Sequence, residues 1–261
     1  MISLVRVLVV EDDAFNREGI RQYLSLHGFE VLGAGDRRSA WELIQTQQPQ
    51  AAVVDLVIPE HPGVRARQTD THGMSLVQQI KASYPGVGVV VFSAFDDRAL
   101  ELARLIGQGV GGIAYLLKGC LPEAMLNALR AVMKGRVVVD PDLSQPNRLA
   151  RLILDQMDPL EREFVEVALQ HLHTLSKRQL QIARHIQHGF TTQAIAEVAS
   201  LTKHTVENVS HEIYQKLHLN HAPAKLRPLV LLVKVMLLSD VLYGDRAELQ
   251  AYDPSDADLA D

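Results

Sequence analysis

Four places in this chain set a reactive or charged side chain at the end of a short apolar run. Glu11, Asp12 and Asp13 follow "VLVV", Asp55 closes "AAVVD", Ser93 closes "VGVVVFS", and Lys118 follows "IAYLL". Carboxylates that face one another repel unless a cation lies between them. An all-oxygen donor set with open positions suits Mg²⁺, which keeps several waters and binds phosphate oxygens. An aspartate beside such an ion can attack a phosphoryl group in line and form an acyl phosphate. The transferred group spreads its charge over three oxygens, so the site also needs positioned positive charge and hydrogen-bond donors. Lys118 supplies the first and the Ser93 hydroxyl the second. A hydrolase built on the same carboxylates would need a separate general base, and none is evident.

Chemistry of this kind requires elements that bring the four places together. The β-rich runs at 4–10, 29–34, 51–55, 87–93 and 113–117 alternate with segments such as 14–27, 37–47, 74–84 and 97–107, where apolar residues recur every three or four positions. Strand and helix alternating five times predict an α/β domain with a doubly wound parallel sheet. Active sites of such sheets lie beyond the carboxyl ends of the strands, which is where all four places fall. After "VVVDPDLSQPN" (137–147) the pattern changes: two prolines and lost periodicity mark a linker, and the remainder reads as all-α. The expected organisation is a (βα)5 domain at 1–135, a partly helical linker at 136–174 with a break near Asp158-Pro159, a helical module at 175–245, and an acidic, disordered tail at 246–261.

Composition sets outer bounds. With 47% hydrophobic and 22% charged residues, each half can bury a core. A single cysteine, Cys120, excludes an intrachain disulfide and suits a reducing compartment. The N-terminal run is too short and too acidic for a signal peptide, and the apolar stretch 229–242 contains Lys234 and Asp240. The expectation is therefore a cytoplasmic protein without a membrane partner. The net charge of −5 is uneven: residues 175–227 carry seven Lys or Arg against three Glu, a net of +4 that leaves −9 elsewhere. A locally basic module in an acidic chain permits a polyanionic partner.

The pieces "VLVVEDD", "VVDLVIP", "VFSAFDD" and "AYLLKG" resemble, in order, the receiver domain of two-component response regulators. The resemblance implies Asp55 as phosphoacceptor, with Mg²⁺ held by Asp12, Asp13, Asp55 and the backbone carbonyl of Val57. It implies Ser93 as switch hydroxyl, Lys118 as phosphate-binding lysine, and Tyr115 as the aromatic that reorients with Ser93. The partner would be a histidine kinase, and the chain would be no enzyme beyond its own phosphorylation and dephosphorylation. Two departures border the site. In the family a glycine follows the proline after about four residues, whereas Gly73 follows Pro59 after fourteen. Ser93 and Lys118 also stand about three residues further apart than usual, with the extra material near "IGQGVGG". The first insertion is either a tolerated surface loop or a device in which Arg65 and Arg67 alter kinase docking or acyl-phosphate lifetime.

In the second module, Ser176 and Thr202 are natural N-caps and Gly189 is a helix stop. A short helix from Thr191, a turn at Ser200-Leu201 and a longer helix from 202 fit a helix-turn-helix. Leu175, Ser176, Arg178, Gly189, Ile195, Ala196, Thr205, Val206, Ile213, Lys216 and Leu217 resemble the LuxR-type module of the NarL/FixJ class. That resemblance implies transcription control by DNA binding as a homodimer formed on phosphorylation. Lys203, His204, Asn208 and His211 are the candidate base contacts, and Thr205 and Lys216 the candidate phosphate contacts. Glu207 stands where the family usually has Lys and Val209 where it often has His. A helix-turn-helix working through protein contacts is the alternative those substitutions leave open. The histidines form no evident zinc site. The stretch 228–244 is apolar nearly all round and must bury more than one face, against the helical linker or a second subunit.

Overall fold

The computed structural model describes residues 4–64, 66, 72–94, 99–140 and 146–244. It divides into two compact units: residues 1–102 with 112–145, and residues 103–111 with 146–261.

The first unit is a parallel sheet in the order β2-β1-β3-β4-β5-β6. Its strands are β1 (Arg6–Val10), β2 (Glu30–Ala34), β3 (Ala51–Val54), β4 (Gly88–Ser93), β5 (Ile113–Leu117) and β6 (Val137–Val139). Helices α1 (Ala14–Leu26), α2 (Arg37–Gln47), α3 (His72–Ser83) and α5 (Pro122–Val132) alternate with them. The central strands are continuous apolar runs because both sheet faces are covered. Val7, Val9, Val53, Val90 and Ala114 form one core with Leu24, Leu126 and Leu129 from the helices. Register brings the strand ends level: Val10 lies beside Val54, Val54 beside Val91, and Ser93 beside Leu117.

The sheet has one strand more than the five expected. After α5 and Gly135, which turns at φ +71°, Val137–Val139 pair with Ile113–Tyr115. Residues assigned to the start of the linker are thus an edge strand. Three consecutive valines are too few for periodicity to reveal, and the two prolines beyond them pointed to a loop.

The second unit contains α6 (Pro146–Asp155), α7 (Pro159–His171), α8 (Lys177–Gln187), α9 (Thr192–Val198), α10 (Lys203–Lys216) and α11 (Pro228–Tyr243). Asp158 caps α7 at the expected break, and Ser176 forms a reciprocal capping box with Gln179. Thr191 and Thr202 cap α9 and α10. The turn between those helices passes through Ser200 at φ +53°.

Helix α11 packs against α6, α7 and α8, which bury its middle, while Leu229, Val230 and Tyr243 near its ends are exposed. Leu232, Val235, Met236, Leu237 and Leu238 are fully buried there. The polar groups on this helix are paired. Asp240 takes hydrogen bonds from Arg184 and Gln187 of α8, and Lys234 meets Glu161 of α7 at 2.6 Å. Buried charge survives only with such partners. The helix α4 (Ala99–Gly107) begins in the sheet unit, and its residues from Ala103 onward belong to the helical one. Among the described residues no helix is long and apolar enough to cross a membrane.

Candidate functional site

Carboxylate oxygens of Glu11, Asp12 and Asp55 lie within 4.8 Å of one another. Glu11 and Asp55 are buried, while Asp12 is exposed. Sheet pairing fixes two of them: the Glu11 amide donates to Ala34 O and the Asp55 amide to Val10 O. The Asp55 carboxylate accepts from the Val57 amide at 3.1 Å. Lys118 Nζ reaches both buried acids, at 2.8 Å from Glu11 Oε2 and 2.8 Å from Asp55 Oδ2.

The acidic run is divided differently from the sequence expectation. Asp13, assigned to the metal, is the N-cap of α1, with its carboxylate taking the Asn16 amide at 2.8 Å. Glu11 faces Asp55 in its place. The signal was present: an aspartate immediately before the first helical residue, with an amide to accept three positions on, is a cap in its preferred position.

Burial raises the Glu11 carboxyl above its ordinary value; the Lys118 hydrogen bond opposes this, and the Asp55 charge reinforces it. For Lys118, desolvation works downward, but the hydrogen bonds and charges of Asp55 and Glu11 outweigh it and hold the ammonium above its usual range. The lysine is therefore a firm cation. One cation between two buried acids still leaves the three-carboxylate cluster negative, and its all-oxygen donors with an exposed edge fit a divalent ion.

Of the remaining candidates, Ser93 and Lys118 meet at the strand ends, while Tyr115 lies further down β5, level with Val91. Ser93 is completely buried at the end of β4, and its carbonyl accepts the Lys118 amide at 2.7 Å. Tyr115 lies inward on β5, only 1% exposed. Asp140 was not singled out from sequence, yet it follows β6 and accepts the Leu117 amide at 3.1 Å, bracing the strand end that carries Lys118.

The long β3–α3 connection is fastened at both ends. Before it, the amides of Arg37 and Arg38 donate to the carbonyls of Pro59 and Glu60. The Glu60 carboxylate receives Arg37 Nη1 at 2.6 Å and His72 Nδ1 at 3.0 Å, closing the loop at its base. After it, Gly73 lies against the phosphoacceptor strand: a Cβ there would meet Asp55 O at 2.1 Å and Leu56 Cα at 2.6 Å. Arg65 and Arg67 lie outside the described residues.

In the helical unit, Lys203, His204, Asn208 and His211 are exposed on α10. Their spacing puts them on one side of the helix. His204 pairs with Asn208 at 3.3 Å, and Lys203 lies 3.9 Å from Glu207. The two expected phosphate contacts are engaged within the chain. Thr205 shares a hydrogen bond with the cap Thr202, and Lys216 Nζ donates to Thr174 O and Gln179 Oε1, each at 2.9 Å. Val209 is half-buried, so it contributes packing.

Comparison with known proteins matches both units. Residues 7–130 match the response regulator receiver domain, and residues 173–225 match the LuxR family of bacterial regulatory proteins. The transcriptional regulatory protein DegU of Brevibacillus brevis is 28% identical over 222 residues, covering 83% of this chain and 89% of that protein. The oxygen regulatory protein NreC of Staphylococcus carnosus is 27% identical over 228 residues, covering 84% of this chain and 94% of the relative. The response regulator UvrY of Escherichia coli is 26% identical over 219 residues, covering 83% and 89%.

Proposed function

The chain belongs to the response regulators of the NarL/FixJ class, which join a receiver domain to a LuxR-type helix-turn-helix, and from that premise we propose that Asp55 accepts a phosphoryl group from a histidine kinase and that the C-terminal module controls transcription by binding DNA as a dimer. The observation that carries this reading is Lys118 bridging Asp55 and Glu11, with Asp12 completing an oxygen cluster beside the nucleophile.

In the proposed reaction an Asp55 carboxylate oxygen forms a bond to phosphorus as the bond from phosphorus to the kinase imidazole breaks. The electron pair returns to the imidazole nitrogen, and the product is an acyl phosphate. Glu11, Asp12 and Asp55, with the Val57 carbonyl, would hold Mg²⁺, which when bound supplies positive charge for the phosphoryl oxygens. Lys118 exchanges one carboxylate contact for a phosphoryl oxygen, and the Ser93 hydroxyl gives a further donor. Hydrolysis of the acyl phosphate resets the protein, which performs no other chemistry. The reading places the protein in the cytoplasm.

DNA contacts are assigned to Lys203, His204, Asn208 and His211, the exposed set on α10. Glu207 lowers general phosphate attraction and can accept from a cytosine amino group, which favours selectivity over non-specific affinity. Beryllofluoride binding in the presence of Mg²⁺ tests the first half: it is expected in the wild type and absent in Asp55→Asn. DNA selection with and without beryllofluoride tests the second, where a motif enriched by the activated protein is expected. Absence of binding in the first assay overturns the phosphoacceptor assignment, and absence of any motif overturns the DNA assignment.

A further inference from the structure

One side chain next to the acidic rim has no part in the reaction proposed above, yet it holds the whole acidic run. Arg17 lies on α1, and its Nη1 donates to the carbonyl of Glu11 and, at 3.3 Å, to that of Asp12. Its backbone amide donates to the carbonyl of Asp13 at 2.9 Å. A single residue thus takes the carbonyls of all three consecutive acids. Room for it is made along β2, at the edge of the sheet. A Cβ at Gly33 would stand 3.4 Å from Arg17 Cδ, and a Cβ at Gly35 would stand 3.3 Å from Arg17 Nη1. Neither glycine adopts a positive φ, so backbone conformation does not require them. Glycine weakens a strand and marks a close approach, and what approaches here is the Arg17 side chain.

We propose that Arg17 is a positioning residue for the divalent ion: by tying down the backbone of 11–13, it keeps the Glu11 and Asp12 carboxylates facing Asp55 before the ion arrives. The inference rests on the proposed function, which takes these oxygens as the Mg²⁺ ligands. The need for such a tie is electrostatic. The three carboxylates lie within 4.8 Å of one another and repel, while Lys118 bonds Glu11 and Asp55. Asp12 is exposed, so a loosened loop would carry its carboxylate out into water. The bonds from Arg17 go to carbonyls, which restrains the loop without taking up the carboxylate oxygens an ion needs. Binding to a loop already in place costs less ordering entropy. The guanidinium charge by itself acts the other way, since a nearby cation weakens the binding of a second one. Positioning and bare charge therefore predict opposite signs for the loss of Arg17.

The test is a calorimetric Mg²⁺ titration of the full-length wild type, Arg17→Met and Gly35→Val, with no phosphodonor present. Arg17→Met keeps an apolar stem and loses the donors. Gly35→Val keeps the charge and puts its branches where the guanidinium lies. Arg17→Met should bind Mg²⁺ about tenfold more weakly, as loss of a group that orients metal ligands does, and Gly35→Val severalfold more weakly. At saturating Mg²⁺ both should bind beryllofluoride as the wild type does, because Asp55, Ser93 and Lys118 are untouched. In the metal-free variants amide exchange at 11–13 should rise, while β1 and β3 keep their protection. Unchanged Mg²⁺ affinity in Arg17→Met, or the tighter binding that loss of a repelling charge gives, overturns the positioning role. Wild-type affinity in Gly35→Val overturns it equally, and so does loss of protection throughout the sheet in both variants, which would make Arg17 a support of the fold. Should Arg17→Met alone lose that protection, Gly35→Val decides. A wild type that binds neither Mg²⁺ nor beryllofluoride overturns the phosphoacceptor assignment instead.

Discussion

Of the two places where this chain exceeds the receiver pattern, only the first adjoins the acidic rim; the second, expected to border the site, leads into Gly112 at the opposite end of the strands, beside Val89 and not Ser93, and the two are built in opposite ways. Between Pro59 and Gly73 the added residues leave and re-enter the sheet unit at fixed points: backbone bonds to α2, a Glu60 carboxylate shared by Arg37 and His72, and Gly73 seated on the Asp55 backbone. Around 107–111 the added residues are the contact itself, with Gly107 against α6 and Gly109 against Lys234. A loop closed at its base can lengthen without moving the site. A segment packed against Ile153, Gln156 and Lys234 cannot. Residues beyond the family spacing, about ten in one case and about three in the other, form an appendage in the first and packed structure in the second.

The largest effect should come from the point where the first insertion meets the site. Gly73→Ala places a methyl group 2.1 Å from Asp55 O and 2.6 Å from Leu56 Cα, and neither is the movable end of a side chain. Destabilisation of about 3 kcal/mol or more is expected, at the upper end of overpacking penalties, with loss of beryllofluoride binding. Thermal unfolding and a beryllofluoride titration check this. An Ala variant of wild-type stability and affinity would show that the loop end is not anchored on the phosphoacceptor strand.

That glycine also shows what was legible in the sequence. The alternation of apolar runs carried the parallel sheet, and the ends of those runs carried Asp55, Ser93 and Lys118 to one rim, because strand direction alone decides where they fall. The division of the acids between Glu11 and Asp13 depends on one residue of register at a strand end, and only a cap separates the two readings. The sixth strand rests on three valines, with pairing partners that lie more than twenty positions away. Engagement of Lys216 by Thr174 O and Gln179, and of residues 103–111 by α6, are long-range contacts that no local pattern encodes. Sequence spacing marked both insertions as departures, but it could not say which was packed.

The second extension returns to the sheet at Gly112, and a buried lysine marks the place. Lys81 Nζ donates to Pro85 O at 3.1 Å, Val87 O at 2.9 Å and Gly112 O at 3.4 Å. Burial lowers this ammonium to about 8. An unfolded lysine titrates near 10.4, so between those values the unfolded chain binds more protons and stability rises with pH. The rise should reach at most about 3 kcal/mol and be absent from Lys81→Met. Unfolding free energies of both proteins from pH 7 to 10 check it, and parallel curves would refute it. Lys81→Met should also lose stability at pH 7, because three carbonyls lose their donor.

A smaller effect is expected at the base of the first insertion. Arg37 and Glu60 are 25% and 32% exposed, so their 2.6 Å pair is partly screened by solvent. Glu60→Ala should cost no more than about 1 kcal/mol. It should, however, raise amide exchange at 59–64, since it removes the group that holds both loop ends. Unchanged exchange would mean that the backbone bonds of Arg37 and Arg38 suffice.

The smallest effect should follow the largest deletion. Replacing residues 61–71 with a short Gly/Ser turn keeps Glu60, His72 and Gly73, and so keeps every described anchor of the loop. Closure entropy changes by ~0.6 kcal/mol for each doubling of length, so the shortened protein should be more stable by about 1 kcal/mol at most. Acyl-phosphate lifetime and the rate of phosphorylation by the kinase should be unchanged, because Lys118, Glu11 and Asp12 are all supplied from outside the loop. Single-turnover dephosphorylation of the two proteins, side by side, measures this directly. A changed lifetime would bring Arg65 or Arg67 to the phosphoryl group, and substituting each by Ala would identify which. That outcome would turn the appendage into part of the site and remove the contrast with 107–111.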